Sequence, residues 1–307
     1  MNRVYFASLG FVFAALLQSC GSDGSSDPNI TGRSGSNKAR LTLSITDAPV
    51  SNSTEVWVQF TGLSIKPVAG EAIDFTFTSP MNINLLGLYG SKSEVLISNE
   101  TIPSGEYEWI RLDVNAENDG VMDSYLVLND GSTHELKIPS GSTSGLKINN
   151  VGFIEPNTHL GLTIDFDLSK SVVLAAGEYL LKPVLRLVNN NTVGSINGKI
   201  NVNLLTANCS DSDPNTGNAV YIFANNTVPD DIDGTYPDPI TVSHVLYDVV
   251  SGDYTYEAGF LPEGKYTVAF TCQSDIDDPE ANDPLVFSEV TNDIKVESTE
   301  VETHTYR

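Results

Sequence analysis

Two stretches place oxygen-bearing side chains at alternating positions just after a cysteine. "CSDSDPNTG" (209–217) offers Asp211, Asp213, Asn215 and the carbonyl of Gly217, and "CQSDIDDPEAND" (272–283) offers Asp275, Asp277, Asp278 and Asp283. Hard oxygen ligands at such spacing suit Ca²⁺, which takes six to eight of them. The expected ligand set is Asp211, Asp213, Asn215, Asp275 and Asp277, and Ca²⁺ is the one cofactor the sequence points to. "DDIDG" (230–234) is a third fragment with part of the calcium-loop pattern. The competing reading is acidic loops kept soluble by hydration. Asp165 and Asp167 lie two apart on a strand pattern, with Lys170 close behind. They have the chemistry to hold a cation or to pair with Arg186, against the plainer reading of a solvated polar face.

Aromatic and nucleophilic chemistry is weaker. Trp57 and Trp109 fall on the parity opposite the apolar set of their strands, and Tyr107, Arg111 and Asp113 share Trp109's parity. Exposed rings beside polar groups stack on sugars. In "LPEGKYTVAF" the matching face, Tyr266, Val268 and Phe270, is apolar. That comparison favours Trp109 packed beneath a second layer. His134, His159, His244 and His304 are scattered, with no paired-histidine metal motif and no G-x-S-x-G elbow. The chain is read as not an enzyme; a hydrolase using two placed carboxylates is the most distant alternative.

What positions these residues begins with export. From Val4 to Leu17 the chain is uncharged and apolar, 14 residues after Arg3. That fits a signal h-region and is too short for a spanning helix. Leu17-Gln18-Ser19-Cys20 resembles the lipobox of bacterial lipoproteins. The resemblance implies a signal peptide over 1–19, cleavage before Cys20 and acylation of its thiol. Gly21, where Asp would imply retention at the inner membrane, implies the outer membrane. An ordinary signal peptide with an incidental cysteine is the competing reading.

With 40 acidic against 16 basic residues the chain carries −24, and loss of Arg3 takes the mature chain to −25. Such acidity opposes nucleic-acid binding, which needs Lys and Arg against phosphate. It equally opposes docking on anionic lipid. The expected partners are the membrane, through the lipid, and an envelope protein or polysaccharide; oligomeric state is left open. Beyond Cys20 only Cys209 and Cys272 remain, and an even pair outside the cytoplasm reads as a disulfide. Closing a loop of 63 residues, it contributes roughly 4 kcal/mol in the chain-entropy model. Two free buried thiols are the alternative.

Residues 20–37 are Gly/Ser/Asn-rich and form a flexible tether after the lipidated cysteine. Beyond it the period is two. Leu41, Leu43 and Ile45 face one way; Val56, Val58 and Phe60 do the same until Gly62, where the phase switches to Leu63 and Ile65. A glycine at a phase change reads as a bulge. "GSINGKINVNL" places Ile196, Gly198, Ile200, Val202 and Leu204 on one face of a strand. Turns are expected at 129–131 and 139–142, and the best helical stretch, within 82–96, is about two turns at most. The fold class is all-β: two immunoglobulin-like or transthyretin-like β-sandwich domains, 38–189 and 190–307. "IPSGEYEWI" (102–110) and "LPEGKYTVAF" (261–270) repeat one pattern, a Pro-Gly turn followed by Tyr. Its spacing resembles the tyrosine corner of such sandwiches, where the phenol pins a loop.

The run "LTLSITDAPV", "VWVQFTGLSIKP", "IRLDV", "LTIDFDLSKSVV" and "YLLKPVLRLV", in that order across the first domain, resembles bacterial domain-of-unknown-function family 4382. "GSINGKI" and "LPEGKYTVAF" resemble carboxypeptidase-regulatory or transthyretin-like modules. These resemblances imply architecture and address and no activity. The expected function is therefore a lipid-anchored cell-envelope protein with a non-catalytic binding or structural role. A carbohydrate-binding surface lipoprotein is the alternative.

Overall fold

The computed structural model describes residues 37–48, 53–117, 119–138, 146–207, 209 and 213–306. The signal segment, Cys20 and the tether up to residue 36, the turn at 139–142 and Asp211 lie outside the described residues. Among the described residues no helix is long and apolar enough to cross a membrane.

The first half is built from β1 (Lys38–Ala48), β2 (Ser53–Pro67), β3 (Ile73–Asn84), β4 (Glu94–Pro103), β5 (Gly105–Asn115), β6 (Tyr125–Leu128), β7 (Thr133–Lys137), β8 (Leu146–Ile154), β9 (His159–Asp167), β10 (Val172–Ala175), β11 (Glu178–Leu181) and β12 (Leu185–Asn189). One sheet runs β12–β9–β1–β4, and the other β10–β11–β7–β6–β2–β5–β8, with β3 also paired to β2. Between them lie the residues that alternation marks. Leu41, Leu43, Ile45, Val58, Phe60, Ile110, Leu112, Ile164 and Phe166 are fully buried, each contributing about 1.5–3 kcal/mol by leaving water. β1 and β9 pair in parallel, as do β7 and β11, so this sandwich is not purely antiparallel. The register of β2 slips between Phe60 and Gly62 against both neighbours. A Cβ at Gly62 would stand 2.6 Å from the Phe75 carbonyl oxygen, which is why the bulge takes glycine. Within 82–96 the helical content is a single 3₁₀ turn, Leu85–Leu88.

The second half comprises β13 (Val193–Ile200), β14 (Ala219–Ala224), β15 (Thr241–His244), β16 (Leu246–Asp248), β17 (Asp253–Pro262), β18 (Gly264–Thr271), β19 (Phe287–Val296) and β20 (Val301–Thr303). Its sheets are β16–β17–β13–β20 and β15–β14–β18–β19. Ile196, Val220, Ile222, Val268 and Phe270 fill the space between them. The expected strand face through Val202 and Leu204 is corrected: β13 ends at Ile200 and a short helix α2 spans Val202–Ala207. Asn201 causes the switch, because its Oδ1 accepts the Asn203 N–H at 3.0 Å as an N-cap.

Both tyrosine corners form the same bond. Tyr107 donates its phenol proton to the Pro103 carbonyl at 2.6 Å, and Tyr266 donates to Pro262 at 2.5 Å. Cys209 and Cys272 form a disulfide with Cα atoms 5.5 Å apart.

The two halves touch through charge and backbone. Lys170, on the short helix α1 (Leu168–Ser171), lies 2.8 Å from Asp238 and 3.4 Å from Asp167, and donates to the Pro239 carbonyl. Ser91 donates to Glu257 at 2.6 Å, and Lys182 pairs with Glu280 at 2.9 Å. A Cβ at Gly259 would meet the Gly90 carbonyl oxygen at 2.2 Å, so the backbones approach as closely as glycine permits.

Candidate functional site

β14 reads Ala219-Val220-Tyr221-Ile222-Phe223, and all five residues are buried. One face enters the core between the sheets. The other, with Ala219, Tyr221 and Phe223, lies beside Ala269 of β18 and packs beneath Ile232 and Leu285 from two long loops, 225–240 and 272–286, and beneath Phe287 at the start of β19. Tyr221 and Phe223 meet Phe287 edge-on at 5.3 and 6.1 Å. The loops therefore form a third layer, and loop backbone in such a layer must find hydrogen-bond partners. Carboxylates supply them. Asp277 accepts the Ile232 N–H at 3.1 Å and the Tyr221 hydroxyl at 2.5 Å; Asp231 accepts the Asp283 N–H at 2.5 Å; Asp283 accepts the Asp278 N–H at 2.8 Å.

This arrangement gathers Asp231, Asp277 and Asp283, each with a carboxylate oxygen within 4.8 Å of those of the other two. Asp231 is 1% exposed, and its Oδ1 has no hydrogen-bond partner. Burial pushes the Asp277 carboxyl up to about 6 against the lowering effect of its Tyr221 and Ile232 hydrogen bonds, with Asp231 and Asp283 adding repulsion. Burial raises Asp231 as well. Tyr221 is pushed well above the usual phenol range by burial and by Asp277.

Of the five residues expected to bind calcium, Asp277 alone stands in this triad. Asp213 and Asn215 are exposed and bond to each other: the Asp213 carboxylate accepts the Asn215 backbone and side-chain N–H groups at 3.0 and 3.1 Å, which lowers its pKa. Asp275 stands beside Gly217, whose Cβ would fall 2.5 Å from its Oδ1. Asp211 lies outside the described residues. Asp231 belongs to the third acidic fragment and Asp283 to the second loop. Their meeting has a sequence signal in β14, since five consecutive apolar residues call for a cover on both faces.

Two clefts lie where the halves meet. One of about 260 Å³ is lined by Ser53, Leu128, Tyr179, Tyr221, His244 and Asp277, among others. The second, about 470 Å³, is lined by Tyr89, Tyr247, Asn197, Lys199, Asp248 and Glu257, among others. Tyr89 and Tyr247 are exposed there, and Tyr247 stacks obliquely on Tyr254 at 5.1 Å. His244 faces both clefts from the end of β15; enclosure by protein holds its imidazole down to about 4.

Asp165 and Asp167 are not on a solvated face. They are buried, Asp165 paired with Arg186 across the β9–β12 ladder and Asp167 with Lys170 and Ser169. Trp109 is half-buried on the outer face of its sheet, flanked by Arg111 and Lys147 at 5.6 and 4.9 Å from the ring, rather than packed under another layer. Tyr107 does not share that face: a register shift between Tyr107 and Trp109 turns Tyr107 into the core. Trp57 is half-buried, stacked on Tyr125 at 6.3 Å and donating to Glu55 at 2.7 Å. His134 meets Ser132 and Tyr179, His159 meets Thr42, and His304 packs on Tyr306.

Residues 38–183 match the family model described as Domain of unknown function (DUF4382). No curated protein matches the chain. Among solved structures it overlays on the Bacillus anthracis TIE protein (14% identity, 88% of this chain and 34% of that chain, TM-score 0.17). It overlays likewise on a fimbrial protein from Bacteroides ovatus (10%, 88% and 48%, TM-score 0.20) and on the fimbrial anchor protein Mfa2 from Porphyromonas gingivalis (10%, 82% and 82%, TM-score 0.18). The chain spans about a third of the TIE protein and about half of the fimbrial protein. At TM-scores this low the likeness carries no function across.

Proposed function

We propose that this chain is a non-catalytic protein of the cell envelope, held to the outer membrane by lipid on Cys20, whose two sandwiches, 38–189 and 190–307, present the clefts between them to a partner. The observation that carries the reading is the junction. Lys170 bridges Asp167 of one half and Asp238 and Pro239 of the other, and Ser91 bonds Glu257, so a cleft wall in one sandwich is held in register with the wall in the next. A tether of Gly, Ser and Asn between such a body and a lipid gives reach without fixing orientation. The test of the anchor is cell fractionation of Cys20→Ser. The variant is expected in the soluble fraction, and unchanged membrane association would overturn the anchor.

A carbohydrate ligand is the second reading, and the 470 Å³ cleft favours it: two exposed tyrosines stand beside an amide, a lysine and two carboxylates. Flat aromatic faces rimmed by hydrogen-bonding groups match pyranose rings. Binding to a polysaccharide array is expected to be lost in Tyr247→Ala; retention of all binding by that variant would remove the cleft from consideration.

A further inference from the structure

The acid triad carries more charge than its surroundings balance. Asp231, Asp277 and Asp283 converge, and among the described residues no lysine or arginine pairs with them; their hydrogen-bond partners include backbone N–H groups and one phenol. A buried carboxylate oxygen without a partner is costly, and Asp231 Oδ1 is one. Either a proton or a cation must answer it. Three carboxylates from two loops converge here, and Ca²⁺ takes such oxygens in a flexible shell, where Mg²⁺ demands near-ideal octahedral geometry and keeps several of its waters.

We propose that Asp231, Asp277 and Asp283 form a Ca²⁺ site that clamps loop 225–240 to loop 272–286. Its consequence reaches past the second sandwich. The same two loops carry part of the contact with the first half: Asp238 and Pro239 receive Lys170, and Glu280 receives Lys182. Asp277 also lines the smaller cleft. Occupancy of the site therefore stiffens the loops that join the sandwiches and sets one cleft wall. The site stands independently of the lipid anchor and of any ligand in the clefts.

Tyr221 supplies an internal reporter, because its hydroxyl is 2.5 Å from Asp277. Tb³⁺ added to the mature chain is expected to show tyrosine-sensitised emission that Ca²⁺ displaces. Ca²⁺ is expected to raise the melting temperature and chelator to lower it, with Mg²⁺ weaker. Asp231→Asn and Asp283→Asn each remove a ligand charge and are expected to raise the half-saturating Ca²⁺ concentration at least about tenfold. Asp213→Asn, on the neighbouring loop, is expected to change nothing. Three results would overturn the site: a melt equally shifted by NaCl at matched ionic strength, a response lost in Asp213→Asn, or Asp231→Asn stabilising the chain alike with and without Ca²⁺. The last would mean that a proton, not an ion, answers the buried oxygen.

Discussion

The outer faces of the two sandwiches are finished differently. In the first, the outer face of the larger sheet meets water with Trp57 and Trp109 half-buried among Glu55, Arg111 and Lys147. In the second, the outer face of β15–β14–β18–β19 is closed by loops 225–240 and 272–286. An open face needs only alternation, with charged side chains laid over the rings. A closed one needs apolar residues on both sides of β14 and a cover whose backbone is satisfied. Loops carry too few apolar side chains to cover a sheet cleanly. Here they contribute Ile232 and Leu285, Phe287 at the start of β19 completes the cover, and aspartates take up the loop N–H groups. The cover is thus bought with crowded negative charge, and the crowding produces the triad.

The sharpest way to break this comparison is truncation of a ring on each face. Phe223→Ala empties the covered face and is expected to cost about 3–5 kcal/mol, as Phe270→Ala does on the inner face. Trp57→Ala on the open face loses one stacked ring pair and is expected to cost about 1 kcal/mol. Urea denaturation measures all three. If Phe223→Ala costs no more than Trp57→Ala, the loops are not a packed layer.

The junction comes next. Lys170→Met leaves Asp167 and Asp238 without their cation, and Asp167 is already raised by burial. The expected loss is up to about 3 kcal/mol, the scale of a broken buried pair. Calorimetry is expected to resolve two transitions where the parent chain shows one. A single unshifted transition would mean that Gly90 against Gly259 and Ser91 with Glu257 suffice to couple the halves.

How far the molecule is legible in sequence follows the same division. Leu41, Leu43 and Ile45 announce their strand because one face is dry, and Gly62 announces its bulge because the apolar phase changes there. The tyrosine corners are legible because the bond is local, four residues long. Trp109 is misread because its face was judged by comparison with Tyr266 and Val268, which share one core, whereas the register shift between Tyr107 and Trp109 puts those two on opposite faces. The strand through Val202 is misread because one asparagine cap outweighs a continuing alternation. The triad is half legible. Acidic loops and the cysteine bridge that anchors one of them can be read, but Asp231 and Asp277 are 46 positions apart, and only the cover over β14 brings them together.

The repeated corner allows a smaller, paired test. Tyr107→Phe and Tyr266→Phe each delete one hydroxyl that donates to a proline carbonyl four residues back. Each is expected to cost about 1 kcal/mol. Equal losses would mean that the corner works alike in a sandwich with one core and in one with a covered face; a much larger loss at one corner would show that the loop it pins supports more than itself.

The pH dependence of stability reports on the clefts. His244 is held down to about 4 by its enclosure, while an unfolded histidine titrates near 6.5. Between those values the unfolded chain binds a proton that the folded chain refuses, so stability is present above about pH 6.5 and drains away as pH falls toward 4. His244→Gln removes that slope. Asp277 acts in the opposite sense over an overlapping window, because a raised carboxyl binds its proton more tightly when folded. The parent chain alone therefore shows a muted response, and the informative quantity is the difference between parent and variant, measured in chelator. That difference is expected to grow in the variant's favour from pH 6.5 down to about 4, with unfolding of the parent taking up to about one more proton near pH 5. A difference that stays flat would mean that water enters the cleft freely enough to solvate the imidazolium, and that the walls between the two sandwiches stand further apart than their contacts at Lys170 and Ser91 imply.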